Sequence, residues 1–300
     1  MFTGCGTALV TPFREDLSLD EAALRRLVRR QLEAGIDFLA PCGTTGENPT
    51  LTRAEHLRVV EITLQEAAGR APVLAGCGGY NTAEVIELAH ELEALKVDGL
   101  LSVTPYYNKP TQEGLYQHYK ALAAATRLPI VVYSVQGRTG VNVEPATVRR
   151  LAEVDNIVGI KEASGNIAQM AAILRLVPER FAVLSGDDAV TLPLIALGGR
   201  GVISVVSNQI PAEMTRLVRL CLAGDFAAAR ALYYKFLPLM EANFIESNPI
   251  PVKAALARMG LLAPVWRLPL TPPRPETWAR IEQVLAEAGL TEAGGAHAGS

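Results

Sequence analysis

The chain has 300 residues, 49% hydrophobic and 20% charged, with a formal net charge of −3 at pH 7. Acidic and basic residues are interspersed, which argues against a nucleic-acid or membrane-surface protein, and no apolar run reaches the ~18 residues of a spanning helix. Met1-Phe2-Thr3-Gly4 lacks the basic-then-apolar pattern of an export signal, and Cys5, Cys42, Cys77 and Cys221 have neither Cys-x-x-Cys spacing nor a partnering histidine, so reduced thiols in a cytoplasmic protein without a metal site are expected.

Taken in order, the chain gives eight short apolar runs, at 7–10, 38–41, 73–76, 99–103, 130–133, 157–161, 182–185 and 201–205. The gaps between them carry helical periodicity. Ser18 with Glu21 and Thr52 with Glu55 have capping-box spacing, Thr82 opens the next helix, and Asn166 precedes another. Strand–helix alternation repeated eight times predicts an α/β fold, a closed (β/α)8 TIM barrel in preference to an open doubly wound sheet. No Gly-x-Gly-x-x-Gly follows the first strand, which removes support for a dinucleotide fold. After Gln209 only helical patterns remain. The expected division is a barrel over 1–225, a helical region over 226–290 and a disordered Gly/Ala-rich tail over 291–300.

In such a barrel, chemistry sits where strands end. The sixth strand ends on Lys161, in Ile157-Val158-Gly159-Ile160-Lys161-Glu162. Burying an ammonium is unfavourable, and a neutral amine attacks carbonyl carbon. A lysine reaching water or pairing with Glu162 is the plainer alternative. The second strand runs into Gly43-Thr44-Thr45-Gly46-Glu47, whose glycines, hydroxyls and N–H groups suit a carboxylate. The fourth leads into Tyr106-Tyr107 between prolines, and the fifth ends on Tyr133, followed by Ser134-Val135-Gln136-Gly137-Arg138. A hydrogen-bonded phenol can carry a proton, and an arginine can fork onto a carboxylate. Asp187-Asp188 ends the seventh; with no His/Glu cluster nearby, Asp188 is expected to cap the following helix. Each signal alone is weak. Lys161, Tyr133, Thr44 and Thr45 nonetheless fall at the same end of their strands, and with Arg138 they describe imine chemistry on a 2-oxo acid. Gly159 shares a face with Lys161 and is expected to leave room beside the imine.

Motifs along nearly the whole chain resemble the pyruvate-dependent class I aldolase family that includes dihydrodipicolinate synthases and N-acetylneuraminate lyases. They include Phe2-Thr3-Gly4, the 43–47 turn, Val103-Thr104-Pro105-Tyr106-Tyr107-Asn108, Gly159-Ile160-Lys161-Glu162-Ala163, Leu184-Ser185-Gly186-Asp187-Asp188, Gly201-Val202-Ile203-Ser204 and Asn248-Pro249-Ile250-Pro251-Val252-Lys253. The resemblance implies a Schiff base between Lys161 and pyruvate, with no other cofactor. It implies that Thr45, Gly186 and the backbone around Ile203 contact substrate, and that Arg138 takes the carboxylate of L-aspartate 4-semialdehyde. Tyr133, Thr44 and Tyr107 would form a proton relay, Tyr107 reaching a neighbouring subunit's site in a homotetramer. The product would be 4-hydroxy-tetrahydrodipicolinate, on the diaminopimelate and lysine pathway. A related aldolase acting on a 2-keto-3-deoxy sugar acid or N-acetylneuraminate is the alternative, which Arg138 disfavours.

Two departures from the family pattern stand out. Gln136 replaces a proline before Arg138, restoring an N–H and loosening the expected hold on that arginine. His56, Glu84 and Tyr106 match the family's lysine-inhibition site, whereas Asn48, Pro49, Arg53 and Tyr80 do not. Arg53 adds positive charge toward a cationic effector, so weak or absent lysine inhibition is expected.

Overall fold

Short runs of β-branched and aliphatic residues, interrupted by polar turns, are buried on both faces and favour parallel strands. The computed structural model, which describes residues 2–291, has eight: β1 Gly4–Ala8, β2 Phe38–Ala40, β3 Leu74–Gly76, β4 Gly99–Val103, β5 Ile130–Ser134, β6 Ile157–Glu162, β7 Ala182–Ser185 and β8 Gly201–Ser204. They form one sheet in the order β2-β1-β8-β7-β6-β5-β4-β3. A parallel Leu39↔Val73 bridge and the Gly76 N–H to Pro41 O bond, 2.9 Å, join the two ends. The result is a TIM barrel with additional C-terminal helices. The 291–300 tail expected to be disordered falls, beyond 291, outside the described residues.

Two cores follow from this closure. Phe2, Phe38, Leu101, Val131, Tyr133, Leu184 and Ile203 pack within the barrel, while a larger cluster fills the space between strands and helices. The first strand begins at Gly4, earlier than the sequence pattern suggests, because glycines hid it. A Cβ on Gly6 would lie 2.1 Å from the Phe38 ring, so the glycine is what lets β1 close on β2.

The barrel helices are α1 Glu21–Glu33, α2 Arg53–Ala67, α3 Thr82–Ala94, α4 Gln112–Ala125, α5 Gln136–Thr139, α6 Pro145–Leu151, α7 Ile167–Leu176, α8 Thr191–Ala196 and α9 Pro211–Leu222. Thr52 and Glu55 make the expected capping box on α2. Ser18 does not cap α1. Its hydroxyl bonds Asp16 at 2.6 Å, and Asp20 accepts from Ala23 N at 2.9 Å instead. Asp188 is not a helix cap either. Its Oδ2 accepts from the N–H groups of Val205 and Val206, at 3.1 and 2.8 Å, tying the end of β7 to the turn after β8. Asp187 takes the capping role, accepting from Ala189 N at 2.9 Å.

Beyond the barrel come α10 Phe226–Ala242, α11 Ile250–Arg258 and α12 Pro275–Ala288. The segment leading into α11 crosses the mouth of the barrel. Lys253, in the apolar run Ile250-Pro251-Val252-Lys253-Ala254-Ala255, reaches Glu47 at 2.5 Å, both side chains fully buried. Arg267 fastens the same edge, donating to Thr50 O at 2.9 Å and pairing with Glu55.

Candidate active site

Parallel register fixes the centre of the site. Tyr133 is paired with Lys161 across β5 and β6, so both side chains point into the barrel from neighbouring strands. Lys161 is 4% exposed, and its Nζ lies 4.1 Å from the centroid of the Tyr133 ring. Among the described residues no carboxylate pairs with it. Glu162 points to the outer face, where Gln169 Nε2 donates to it at 2.8 Å and Ser164 N at 3.3 Å. Burial raises the Glu162 pKa, and those hydrogen bonds offset part of the rise. The strand therefore separates amine from acid by alternation alone.

A cavity of about 210 Å³ opens above this pair, lined by Thr44, Asn48, Gly78, Tyr106, Tyr133 and Arg138, among others. Lys161 does not itself line it; Tyr133, the neighbour of the amine, does. The 43–47 turn supplies one wall. Gly46 N bonds Gly43 O and Glu47 N bonds Thr44 O, each at 3.1 Å, and Thr11 Oγ1 holds Gly46 O at 2.7 Å. Glu47 adopts a left-handed φ of 55° before the short 3-10 turn Asn48–Thr50. The N–H groups of Thr44 and Thr45 find no acceptor among the described residues, which leaves them for an anion.

Arg138 forms the opposite wall. The segment after Tyr133, expected as a loosened loop, winds into the single helical turn α5. Arg138 N and Thr139 N both bond Val135 O, at 3.0 and 3.1 Å, and Thr139 Oγ1 bonds Val141 O at 3.0 Å. The guanidinium donates from Nη2 to Asn248 O at 3.0 Å. Gln136, at the start of the turn, is exposed, and its carbonyl accepts from Gly140 N at 2.9 Å.

The remaining sequence candidates are placed around this cavity rather than on it. Thr45 is buried, and its Oγ1 accepts from Asn248 Nδ2 at 2.9 Å. Ile203 fills the barrel interior against Tyr133 and Leu184. Gly186 donates from N to Glu162 O at 2.8 Å, and a Cβ there would lie 2.5 Å from Ala163 Cβ. Gly159 does not leave open space beside Lys161; a Cβ on it would lie 2.5 Å from Ala182 O, so it serves close approach of β7. Tyr107 is not brought to the cavity within one chain. It is 91% exposed, on a backbone with φ of 69°. Among the described residues no group of three or more His, Cys, Asp or Glu could hold a metal ion, and no helix is long and apolar enough to cross a membrane.

Sequence reasoning missed Asn248 and the Glu47–Lys253 pair. The second had a usable signal: Lys253 interrupts an apolar run much as Lys161 does.

The model of the dihydrodipicolinate synthetase family matches residues 1–288. A 4-hydroxy-tetrahydrodipicolinate synthase of Koribacter versatilis is 55% identical over 288 residues, 96% of each chain. Among solved structures, a dihydrodipicolinate synthase of Thermotoga maritima is 47% identical, covering 97% of this chain and 100% of its own, with a TM-score of 0.95. A chloride-inhibited dihydrodipicolinate synthase of Acinetobacter baumannii, complexed with pyruvate, is 43% identical over 97% of this chain and 100% of its own, with a TM-score of 0.96. With the barrel, the strand-end lysine and tyrosine and these matches agreeing, the chain belongs to the dihydrodipicolinate synthetase family.

Proposed function

We propose that this chain is a lyase-class enzyme that condenses pyruvate with L-aspartate 4-semialdehyde to 4-hydroxy-tetrahydrodipicolinate, in diaminopimelate and lysine biosynthesis. The observation that carries the reading is the buried Lys161 amine, without an ionic partner among the described residues, 4.1 Å from the centroid of the Tyr133 ring that lines the cavity. The family match and the pyruvate-bound relative support the same substrates.

In this reading the Lys161 amine attacks C2 of pyruvate, and loss of water gives an imine. A methyl proton leaves to form the enamine, whose carbon attacks the aldehyde of the second substrate. That substrate's own amine then closes on the imine carbon and releases Lys161. Tyr133 and Thr44 carry protons between these steps, with Tyr107 of a second copy completing the relay. Thr45, the free N–H groups of the 43–47 turn and the backbone at Ile203 hold the pyruvate carboxylate. Gly186 shapes the end of β7 beside the substrate, and Arg138 takes the second carboxylate by charge-assisted hydrogen bonds. The imine is the electron sink, so the chemistry calls for no metal or organic cofactor. In the same reading Tyr107, 91% exposed in one chain, reaches a second copy within a homotetramer built as a dimer of dimers. A cytoplasmic location belongs to the same reading.

Incubation with pyruvate followed by borohydride reduction should leave a stable adduct on Lys161, located by peptide mass. An unmodified Lys161 would sink the mechanism. Adding aspartate semialdehyde with a coupled reductase then tests the second substrate.

A further inference from the structure

Asn248 lies 203 residues from Thr45 in sequence, yet their side chains meet at 2.9 Å. It is 5% exposed, so this contact is made away from water. The direction of the bond matters. A threonine hydroxyl has one hydrogen to donate and two lone pairs to offer. By accepting from Asn248 Nδ2, Thr45 Oγ1 turns its own hydrogen away from the amide and keeps it for another acceptor. A carboxylate has acceptors only, so the arrangement is matched to an anion.

The backbone of the same residue performs a second task. Its carbonyl accepts from Arg138 Nη2 at 3.0 Å, holding the guanidinium at the cavity wall. One residue thus touches both groups read above as anion contacts, by different atoms. The Asn248 Oδ1 is buried and has no hydrogen-bond partner among the described residues. Buried acceptors are rarely left so, and a residue selected only to fill space would be apolar here. Lys253, five residues on, fixes the segment's position through its buried bond to Glu47.

We propose that Asn248 is a positioning residue of the reaction: its side chain aims the Thr45 hydroxyl at the pyruvate carboxylate, and its backbone carbonyl anchors Arg138 for the second substrate. The inference rests on the proposed reaction and assigns the C-terminal segment a part in it. It also separates the two substrates, because truncating the side chain removes the first task and leaves the second.

The test is a kinetic split in a double-mutant cycle. Asn248→Ala should raise the KM for pyruvate about tenfold, equivalent to ~1.4 kcal/mol, with the KM for aspartate semialdehyde unchanged within about twofold. In a Thr45→Val background, where no hydroxyl remains to aim, Asn248→Ala should add less than about twofold to the pyruvate KM, since coupled pairs are non-additive. Borohydride trapping with pyruvate alone should show the same shift in the concentration that half-modifies Lys161. A pyruvate KM within twofold of the parent, an equal penalty with and without Thr45, or a loss confined to aspartate semialdehyde would each overturn the proposal. Absence of trapping at Lys161 in the unsubstituted protein defeats the Schiff-base reading itself. Normal trapping that Asn248→Ala does not shift defeats only the role given to Asn248.

Discussion

Two lysines are buried, and among the described residues an acid pairs with one and not with the other. Lys161 lies near the end of β6, 4% exposed, with its amine 4.1 Å from the Tyr133 ring centroid and no acid paired with it among the described residues. Lys253 lies in α11, fully buried, 4.4 Å from the Phe13 ring centroid and 2.5 Å from Glu47. Each meets an aromatic face, so the ring does not distinguish them. The carboxylate does. Burial pushes the Lys253 pKa down while Glu47 pushes it back up, and the outcome is a lowered value. That amine is fully engaged in tying the 43–47 turn to the C-terminal segment. Burial of a lysine is therefore not in itself a sign of chemistry; burial without an acid, beside a cavity, is.

The largest expected effect comes from exchanging the unpaired amine for an apolar chain of similar length. Lys161→Met should lower kcat by more than about 10⁴-fold, ~5 kcal/mol of barrier, while the urea midpoint stays level or rises. A variant that kept near-normal turnover, or that unfolded, would erase the distinction. The same exchange at Lys253 should act in the opposite way. It leaves the Glu47 carboxylate buried without a cation, which costs about 3–5 kcal/mol of stability. Adding Glu47→Gln to Lys253→Met should recover most of that loss, because the stranded charge, rather than the missing contact, is the cause. Urea denaturation of the single and double variants measures both. If the single variant is as stable as the parent, the pair is not the pillar described.

The comparison also shows what could be read from the sequence. Lys161, Tyr133 and Thr44 were legible because each ends or follows a short apolar run, and strand ends in a parallel barrel converge by geometry. The start of β1 was hidden by Gly4 and Gly6, residues that weaken a strand pattern while allowing the close approach that closes the barrel. The turn α5 is hidden because its four residues, Gln136-Gly137-Arg138-Thr139, are too few to show a helical period and include a glycine. Asn248 and Lys253 meet Thr45 and Glu47 across 203 and 206 residues, and no local spacing encodes such a contact. Resemblance marked that segment without giving it a task.

A buried acid without a cationic partner among the described residues sharpens the rule from the other side. Asp188 is fully buried, and its pKa is pushed up to about 6, by burial first, with hydrogen bonds offsetting part of the rise and Asp187 adding to it. A folded value above the unfolded ~3.9 means that the native state binds this proton more tightly. Its contribution to stability is complete below about pH 4 and is lost as pH rises through 6. Asp188→Asn should abolish this slope, gaining up to about 3 kcal/mol relative to the parent between pH 4 and 7. His56 and His118, both held at about 4 by burial, act in the opposite direction across the same window. The readout is therefore the variant-minus-parent difference in urea stability, and a difference that does not change with pH refutes the assignment.

The smallest expected effect concerns an amine that arrives from solution. Free lysine, as an inhibitor, would need acceptors and negative charge around His56, Glu84 and Tyr106. His56 Nδ1, Glu84 and the Tyr106 ring already have neighbours within the chain. Asn48 Oδ1 bonds His56 Nδ1 at 2.7 Å, Asn81 donates to Glu84 at 2.9 Å, and the Tyr80 ring packs edge-on against Tyr106 with centroids 5.3 Å apart. Arg53 adds a cation whose field contributes, after burial, to the low His56 pKa, and its pairing with Glu91 at 3.4 Å is half exposed. A second cation entering that field is repelled. We therefore expect steady-state activity to be insensitive to sub-millimolar lysine, and Arg53→Ala to increase sensitivity by about tenfold at most, ~1.4 kcal/mol. Half-inhibition of the parent protein by sub-millimolar lysine would refute repulsion by Arg53, as would an Arg53→Ala variant that lysine inhibits no better than the parent.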